Sequence, residues 1–455
     1  MLDIEIISKF EATIVSQAQQ IKLLEEKVMH LLEQLQKQGV KKDSHNSSKP
    51  PSSDLFSTKK NLRQVSTKPN GGQLGHKGTT LEMTSTPDKI IDLKSDFCNK
   101  CGQSLSQEIF ILKAKRQVIE LPPIQPIFEE YRQFSCQCSN CQHEQIADFP
   151  FGINAPIQYG SSVETHISYF SVYQYIPYGR LKSLFSQVFS LPLSEGTVGN
   201  ILERSSQKCQ GFYSHIKTQI AQSKVVGSDE TGTKVNGSKW WIWVWQNFLN
   251  TFIVASDNRG SKTIDDVWKK GLPNATIISD RWSAQLKTIA KNHQICLAHL
   301  LRDLIFLEES EKHTFATEFK QLLGDVFDLR KILFKNKQPC QTNSNEAILL
   351  EKRLNDLLLI NIDQEKYALT ATFQISMLKY RNFLLPCIYD IDIPPDNNGS
   401  ERAIRNIKVK QKVSGQFKTG QNAFCVIRSV IDTLLKRQLE VLPYLNLIIK
   451  NQPVW

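Results

Sequence analysis

The sequence contains no apolar run of about 18 residues, the length that a membrane-spanning helix requires. Its amino terminus also lacks the pattern of a secretory signal peptide. Both absences argue against an integral membrane protein and against a secreted one. We therefore expect a soluble, cytoplasmic protein with no membrane partner.

Acidic residues are fewer than basic ones. The chain has 45 Asp and Glu against 56 Lys and Arg, which gives a net charge of +11 and a pI of about 9.0. Such an excess suits a nucleic-acid partner. A positive net charge also occurs in ribosome-associated and membrane-surface proteins, so the charge alone narrows the possible functions only modestly. At 455 residues the chain can hold several domains, each with its own core.

Half of the ten cysteines lie between residues 98 and 141. Two C-x-x-C pairs separated by a β-rich segment are typical of a tetrahedral zinc site. The predicted Zn²⁺ ligands are Cys98, Cys101, Cys138 and Cys141. Cys136 is then a spare or a replacement ligand, and His143 is a weaker candidate. The alternative is five unrelated thiols. Four thiolates leave no open coordination position, so the module is expected to support DNA binding rather than catalysis.

The first 40 residues carry a heptad pattern. Its a and d positions are Ile7, Phe10, Ile14, Gln17, Ile21, Leu24, Val28, Leu31 and Leu35. Only one of them is polar, and β-branched residues at a with leucine at several d positions favour a parallel two-stranded coiled coil. We therefore expect a homodimer or a higher oligomer. The alternative is an amphipathic helix packed on its own domain. The Lys-, Ser- and Pro-rich stretch that follows predicts a flexible basic linker.

Two aspartates each follow a short apolar, β-branched run. The four predicted strands span residues 224–228, 240–245, 251–255 and 274–279. Asp229 follows the first strand and Asp280 the last, and the middle strands are separated by polar turns. An aspartate at a strand end, a β-meander and a second such aspartate is the order expected of a ribonuclease-H-like nuclease core.

A third carboxylate lies farther along the chain, after Pro394 and Pro395, which prevent a helix before this point. Asn398 or Ser400 is expected to cap the helix that follows, and this helix carries Glu401. A carboxylate among basic side chains is either part of a surface salt-bridge cluster or a metal ligand whose basic neighbours bind a polyanion. The two aspartates upstream favour the metal ligand.

Three carboxylates in this order can hold two divalent cations, which activate the attacking oxygen and stabilise the leaving oxygen of a phosphodiester. Oxygen ligands favour Mg²⁺ or Mn²⁺ over zinc. We predict Asp229, Asp280 and Glu401 as catalytic residues and metal ligands. Glu230 is the second choice for the first position, because it lies past the predicted strand end. The residues expected to contact DNA phosphates are Arg402, Arg405, Lys408, Lys410 and Lys412.

Cys296 and His299 follow the second aspartate on a predicted helix. A C-x-x-H motif can be half of a zinc site, but no partner pair stands nearby in the sequence. We therefore expect both residues to lie just outside the metal ligands, where they position the helix.

Several motifs together carry a family resemblance. They are D-S-H-N-S-S-K-P-P-S-S-D at 43–54, G-G-Q-L-G-H-K-G-T-T-L at 71–81, D-E-T-G-T-K-V-N-G-S-K-W at 229–240, S-D-R-W at 279–282, C-L-A-H-L-L-R-D-L at 296–304 and D-N-N-G-S-E-R-A-I-R-N-I-K-V-K-Q-K-V-S-G at 396–415. In content and order they resemble transposases of the insertion sequence 66 type, a bacterial branch of the DDE transposases. Leu74 and Ser400 depart from the usual residues, and neither is a proposed ligand.

The resemblance implies a bacterial DNA transposase acting at the nucleoid. Such an enzyme binds terminal inverted repeats, cleaves transposon 3′ ends with a divalent metal, and transfers the strand into target DNA. It also implies that Asp229, Asp280 and Glu401 form the catalytic triad, and that accessory proteins encoded by the element are possible partners. Two alternatives remain open: a ribonuclease-H-like nuclease without strand transfer, and a domesticated zinc-containing DNA-binding regulator.

The expected fold is a multidomain α/β protein with a ribonuclease-H-like core and a helical insertion. In chain order we predict a coiled coil at 1–40, a linker at 41–75, a zinc module at 76–155, a helical region at 156–220, a catalytic core at 221–304 and 391–420 that is interrupted by a helical insertion at 305–390, and closing helices at 421–455. In the region before the core, a helix, a break at Pro192 and a helix capped by Ser194 outline a helix-turn-helix. Ordinary helical hairpins share that outline.

Overall fold

A computed structural model describes residues 14–28, 42–43, 46–47, 75, 81–150 and 152–451. Residues 14–28 form a helix, α1, and its heptad residues Ile14, Ile21 and Leu24 are exposed to solvent. The predicted heptad positions Ile7, Phe10, Leu31 and Leu35 and most of the predicted linker lie outside the described residues. In the described part of the chain, no helix is long and apolar enough to cross a membrane.

The segment before the main sheet contains one small hairpin and a group of helices. Strands β1 (Ser135–Gln137) and β2 (Glu144–Ile146) pair antiparallel. The helices are α2 (Ser161–Ser168), a π-helical turn (Tyr169–Tyr173), α3 (Tyr178–Val188), α4 (Glu195–Lys208) and α5 (Gln210–Ala221). As the sequence indicates, Ser194 caps α4, because its hydroxyl accepts a hydrogen bond from the Thr197 N–H at 3.0 Å.

A mixed five-stranded sheet follows. Its strands are β3 (Val225–Val235), β4 (Ser238–Gln246), β5 (Thr251–Ser256), β6 (Leu272–Ser279) and β7 (Ala290–Ile295), in the spatial order β5-β4-β3-β6-β7. The first three are antiparallel, and β3, β6 and β7 are parallel. Asn236 and Gly237 join β3 to β4 with φ values of 46° and 78°, the left-handed backbone that a two-residue hairpin requires.

Ten further α-helices and one short 3-10 helix (Arg381–Phe383) surround or follow the sheet in the described chain. The α-helices are α6 (Ser261–Val267), α7 (Ser283–Leu286), α8 (Leu297–Glu311), α9 (Thr314–Asn336), α10 (Asn345–Leu358), α11 (Ala368–Lys379), α12 (Pro386–Tyr389), α13 (Asn398–Ser414), α14 (Gln421–Lys436) and α15 (Val441–Ile449). One apolar cluster packs the sheet against α2–α5 and α13–α15, and a second is built mainly from α8–α12.

Helix α14 covers the edge of the sheet at β5. The hydroxyl of Ser429 accepts a hydrogen bond from the Ile253 N–H at 2.9 Å, and the hydroxyl of Thr433 accepts one from the Thr251 N–H at 3.1 Å. A free strand edge is a template for association with another chain. The hydroxyl groups of two residues on a buried helix face therefore accept hydrogen bonds from two backbone N–H groups of this edge strand.

Three local predictions need correction. Strand β3 does not end before Asp229 but continues to Val235, because β4 pairs with it along this whole length. Strand β7 was not predicted, since its sequence A-K-N-H-Q-I is polar. Helix α13 begins at Asn398, with Asn397 in the cap position and no side-chain cap hydrogen bond. Neither of the two predicted residues caps this helix.

Candidate active site

Two aspartates meet where the parallel part of the sheet ends. Strands β3 and β6 pair only as far as Gly227 and Ile278, and beyond this point β3 continues with β4 alone. Asp229 lies just past the end of this pairing, and Asp280 directly follows β6. Because both strands run in the same direction, the two carboxylates lie at the same edge.

Asn397 joins the helix of Glu401 to this edge. Its side-chain amide donates to the Ser228 carbonyl at 2.7 Å, next to the first aspartate, and its backbone N–H donates to the Cys296 sulfur at 3.2 Å. The Cys296 N–H in turn donates to the Ser279 carbonyl at 2.8 Å, next to the second aspartate. One buried asparagine therefore links the three segments that carry the predicted triad.

The contact between α13 and β3 leaves no room for a side chain at Gly227. A Cβ atom there would lie 2.4 Å from Gln246 Nε2, 2.7 Å from Ser400 Oγ and 2.8 Å from Asn397 Oδ1. On the helix side, a Cβ at Gly399 would also lie 2.4 Å from Gln246 Nε2. At distances below 3.0 Å the neighbouring side chains or the backbone would have to shift. The two glycines therefore permit the close approach of helix and strand. No motif or spacing in the sequence distinguishes Asn397 or Gly227 from an ordinary turn or strand residue.

Electrostatics support one cluster of carboxylates. Burial raises the pKa of Asp229 well above its usual value, and the charges of Asp280, Glu230 and Glu401 raise it further. A buried carboxyl group surrounded by others is costly to ionise unless a cation compensates. The residues therefore fit a divalent cation, whose charge would stabilise the ionised carboxylates.

The neighbouring Glu230 is held by other side chains. Its Oε1 accepts from Arg259 Nε at 3.0 Å and its Oε2 accepts from Gln285 Nε2 at 2.5 Å. The Arg259 guanidinium also stacks between Trp241 and Trp282, 4.5 Å and 3.9 Å from the ring centroids. Both Glu230 oxygens thus have protein partners. This occupancy, rather than a position past the strand end, favours Asp229 as the ligand.

Helix α8 supplies polar neighbours for Glu401. Arg302 Nη2 donates to Glu401 Oε1 at 3.3 Å, and His299 Nε2 lies 3.8 Å from the same oxygen. Burial lowers the pKa of His299, and the charge of Arg302 lowers it further. Burial also raises the pKa of Cys296 to about 12, so its sulfur stays a neutral thiol beside the cluster. Both residues of the C-x-x-H motif therefore lie next to the carboxylate helix.

The chain matches two family models. A family model described as Transposase IS66 family matches residues 156–424 of the 455-residue chain. The chain belongs to this family. A transposase function follows from the membership, and the matched region contains all five strands of the sheet and the three carboxylates. A second model, Family of unknown function (DUF6444), matches residues 5–82. A search of curated proteins finds no match.

The basic residues of α13 divide into two groups. Arg402, Arg405 and Lys412 are exposed. Lys408 instead donates to the Gly232 carbonyl at 3.1 Å, and Lys410 is buried, with its Nζ 6.0 Å from the centroid of the Tyr178 ring. Burial lowers the pKa of both lysines. Both lysines contact other parts of the protein in this conformation, so the exposed Arg402, Arg405 and Lys412 are better placed to contact a phosphate.

The cysteine pairs form two similar turns. The Gly102 N–H donates to the Cys98 carbonyl at 2.8 Å, and the Gln142 N–H donates to the Cys138 carbonyl at the same distance. Cys101 lies within hydrogen-bonding reach of the first thiol, and the backbone N–H of Cys101 lowers the pKa of Cys98. Cys138 has the same relation to Cys141. Each turn fits half of a zinc site.

Across the described residues, the structure contains no group of three or more His, Cys, Asp or Glu side chains in metal-binding geometry. The four predicted zinc ligands are therefore brought together only as two pairs. The acidic triad forms an electrostatic cluster without a closed set of ligands. Within residues 81–150, no hydrogen bond joins the two cysteine pairs, whereas the network of Asn397 joins the three segments that carry the carboxylates.

Proposed function

We propose that this chain is a DDE transposase whose metal ligands are Asp229, Asp280 and Glu401. The observation that carries the proposal is the hydrogen-bond network of Asn397, which joins the segments of Asp229, Asp280 and Glu401 although they lie far apart in the sequence. The strand order and the late acidic helix support a ribonuclease-H-like core. When bound, Mg²⁺ or Mn²⁺ would activate the attacking oxygen and stabilise the leaving oxygen.

The proposed reaction has two steps. In cleavage, a bond forms between a water oxygen and the phosphorus at the transposon end, and the bond from phosphorus to the 3′ oxygen breaks. In strand transfer, the freed 3′-hydroxyl attacks a phosphorus of target DNA and displaces a 3′ oxygen there. The exposed Arg402, Arg405 and Lys412 lie on the helix of Glu401, where they can hold DNA phosphates.

Strand cleavage by single-carboxylate variants tests this proposal. Asp229→Asn, Asp280→Asn and Glu401→Gln are expected to lose metal-dependent cleavage of labelled terminal-repeat DNA, while binding of that DNA persists. Asp266→Asn is a matched control, since it removes an exposed carboxylate on α6 and should cleave as the wild type does. Wild-type cleavage by any of the three site variants would refute the assignment.

Joining of a pre-cleaved end separates the proposed function from a plain nuclease. A labelled transposon end with a free 3′-hydroxyl should become covalently attached to plasmid DNA in the presence of Mg²⁺ or Mn²⁺. Cutting without joining would support the nuclease alternative, and binding without cutting would support the regulator. A zinc module, dimerisation through α1 and accessory proteins remain part of the proposal, and none of them is needed for this readout.

A further inference from the structure

One face of α8 connects the carboxylate cluster to a second surface. His299, Arg302, Phe306 and Glu309 recur at intervals of three and four residues, so they lie along one stripe of the helix. The first two contact Glu401. The last two lie about 6 and 10 Å farther along the helix axis than Arg302, at 1.5 Å per residue.

A short segment from the amino-terminal region contacts the far end of this stripe. Lys42 Nζ lies 4.7 Å from the centroid of the Phe306 ring, and the side-chain amide of Asn46 donates to Glu309 Oε2 at 2.7 Å. Asn46 is only 2% exposed. Asparagine is mostly a surface residue, so such burial indicates a specific contact rather than a chance encounter.

The segment also has its own internal hydrogen bonds. The Asn46 N–H donates to Asp43 Oδ1 at 3.0 Å, and the Asp43 N–H donates to Asn46 Oδ1 at 2.8 Å. The Ser47 hydroxyl donates to the Asp43 carbonyl. These reciprocal bonds form a tight turn of the kind that Asp and Asn favour. The turn uses the side-chain oxygen of Asn46 and leaves its amide N–H groups to donate to Glu309.

We propose that the described residues Lys42, Asp43, Asn46 and Ser47 form a docking segment that binds α8 on the helix face that also carries His299 and Arg302. The segment lies within the region matched by the family of unknown function, whereas α8 lies within the transposase match. The contact therefore joins two regions that match different families. Its role in catalysis rests on the function proposed above.

Hydrogen exchange of the full-length protein tests the docking itself. In the wild type, the hydrogen-bonded amides of Asp43 and Asn46 should exchange slowly. The Glu309→Ala variant should exchange about tenfold faster there, the effect of losing one hydrogen bond to a charged acceptor. The Asn46→Ala variant should exchange faster still, because it also removes the bond that Asn46 Oδ1 accepts from the Asp43 N–H. The double variant should exchange no faster than Asn46→Ala, which already lacks the contact with Glu309.

Glu308→Ala is the matched control. Glu308 is the preceding residue on the same helix, but it bonds to Lys320 and Thr317 of α9 instead. Its loss should leave exchange of the docking segment unchanged. Complete exchange of this segment in the wild type at the earliest time, or equal exchange in the wild type and Glu309→Ala, would overturn the proposal.

A cleavage assay tests the consequence separately. Glu309→Ala should cleave terminal-repeat DNA at least about fivefold more slowly than Glu308→Ala, because the docking segment is no longer held on the helix that contacts Glu401. Equal cleavage by the two variants would overturn the link to catalysis. Absence of cleavage by the wild type would count against the proposed function, and the exchange experiment would still decide whether the segment docks.

Discussion

The Asn397→Ala variant tests whether one buried asparagine holds the carboxylate segments together. The substitution removes the bond from Asn397 to the Ser228 carbonyl and the bond that Asn397 Oδ1 accepts from the Ser400 hydroxyl, both 2.7 Å long. Asn397 and Ser400 are 2% and 0% exposed, so water does not readily replace either partner. An unsatisfied buried partner costs about 1–3 kcal/mol. We therefore expect a loss of about 2–5 kcal/mol in unfolding free energy.

The neighbouring residue supplies the control. Asn398 is exposed at the start of α13, so Asn398→Ala should change the unfolding free energy by less than about 0.5 kcal/mol. Urea denaturation gives the stability of each variant. A titration of cleavage with Mn²⁺ gives the metal concentration for half-maximal rate, which should rise for Asn397→Ala alone. Equal stability and equal metal dependence of the two variants would refute the positioning role.

Three further predictions concern packing, pH and metal binding. Gly227→Ala should destabilise the protein by about 1–3 kcal/mol in urea denaturation. Gly232→Ala should cost much less unfolding free energy, because a Cβ atom there would lie no closer than 3.6 Å to the neighbouring Trp241 ring. Equal losses in the two variants would contradict the close approach of α13 to β3 at Gly227. Burial lowers the pKa of Lys436 to about 7, so from about pH 7 to pH 10 the unfolded chain binds a proton that the folded chain lacks. The unfolding free energy should then rise with pH by up to about 1.4 kcal/mol per unit, and a Lys436→Met variant with the same slope would exclude this cause. Mn²⁺ at about 100 times its dissociation constant should raise the unfolding free energy by about 2.7 kcal/mol; Asp229→Asn should abolish this gain and Glu230→Gln should retain it, as thermal or urea unfolding would show.

The strands that carry the site could be predicted because their residues report local structure. Strand β6 ends at Ser279, just before Asp280, and the β-branched run before it has the composition of a buried strand. The Asn236-Gly237 turn likewise has the residues that a two-residue hairpin requires. In these segments, local propensity and the final fold agree.

Other features depend on partners far away in the sequence. Strand β7 is polar, yet its residue Gln294 is buried. The Gln294 side chain accepts from the Cys387 N–H at 2.9 Å and donates to the Leu384 carbonyl at 3.1 Å, so its hydrogen-bond partners come from a segment about 90 residues away in the sequence. The inward direction of Lys410 depends on where Tyr178 lies. The contact of Asn46 with α8 likewise cannot be predicted from the local sequence, because the composition of residues 41–75 predicts a linker. Sequence spacing cannot supply such long-range contacts.

Cleavage of the polypeptide by bound iron tests most directly whether the three carboxylates share metal ions. Fe²⁺ replaces Mg²⁺ at oxygen-ligand sites, and with ascorbate and peroxide it generates radicals that cut the chain next to the bound ion. We predict cuts near Asp229, Asp280 and Glu401 together, suppressed by excess Mg²⁺ and absent from Asp229→Asn. Cuts at only one of these positions, or cuts that persist in Asp229→Asn, would contradict a shared metal centre.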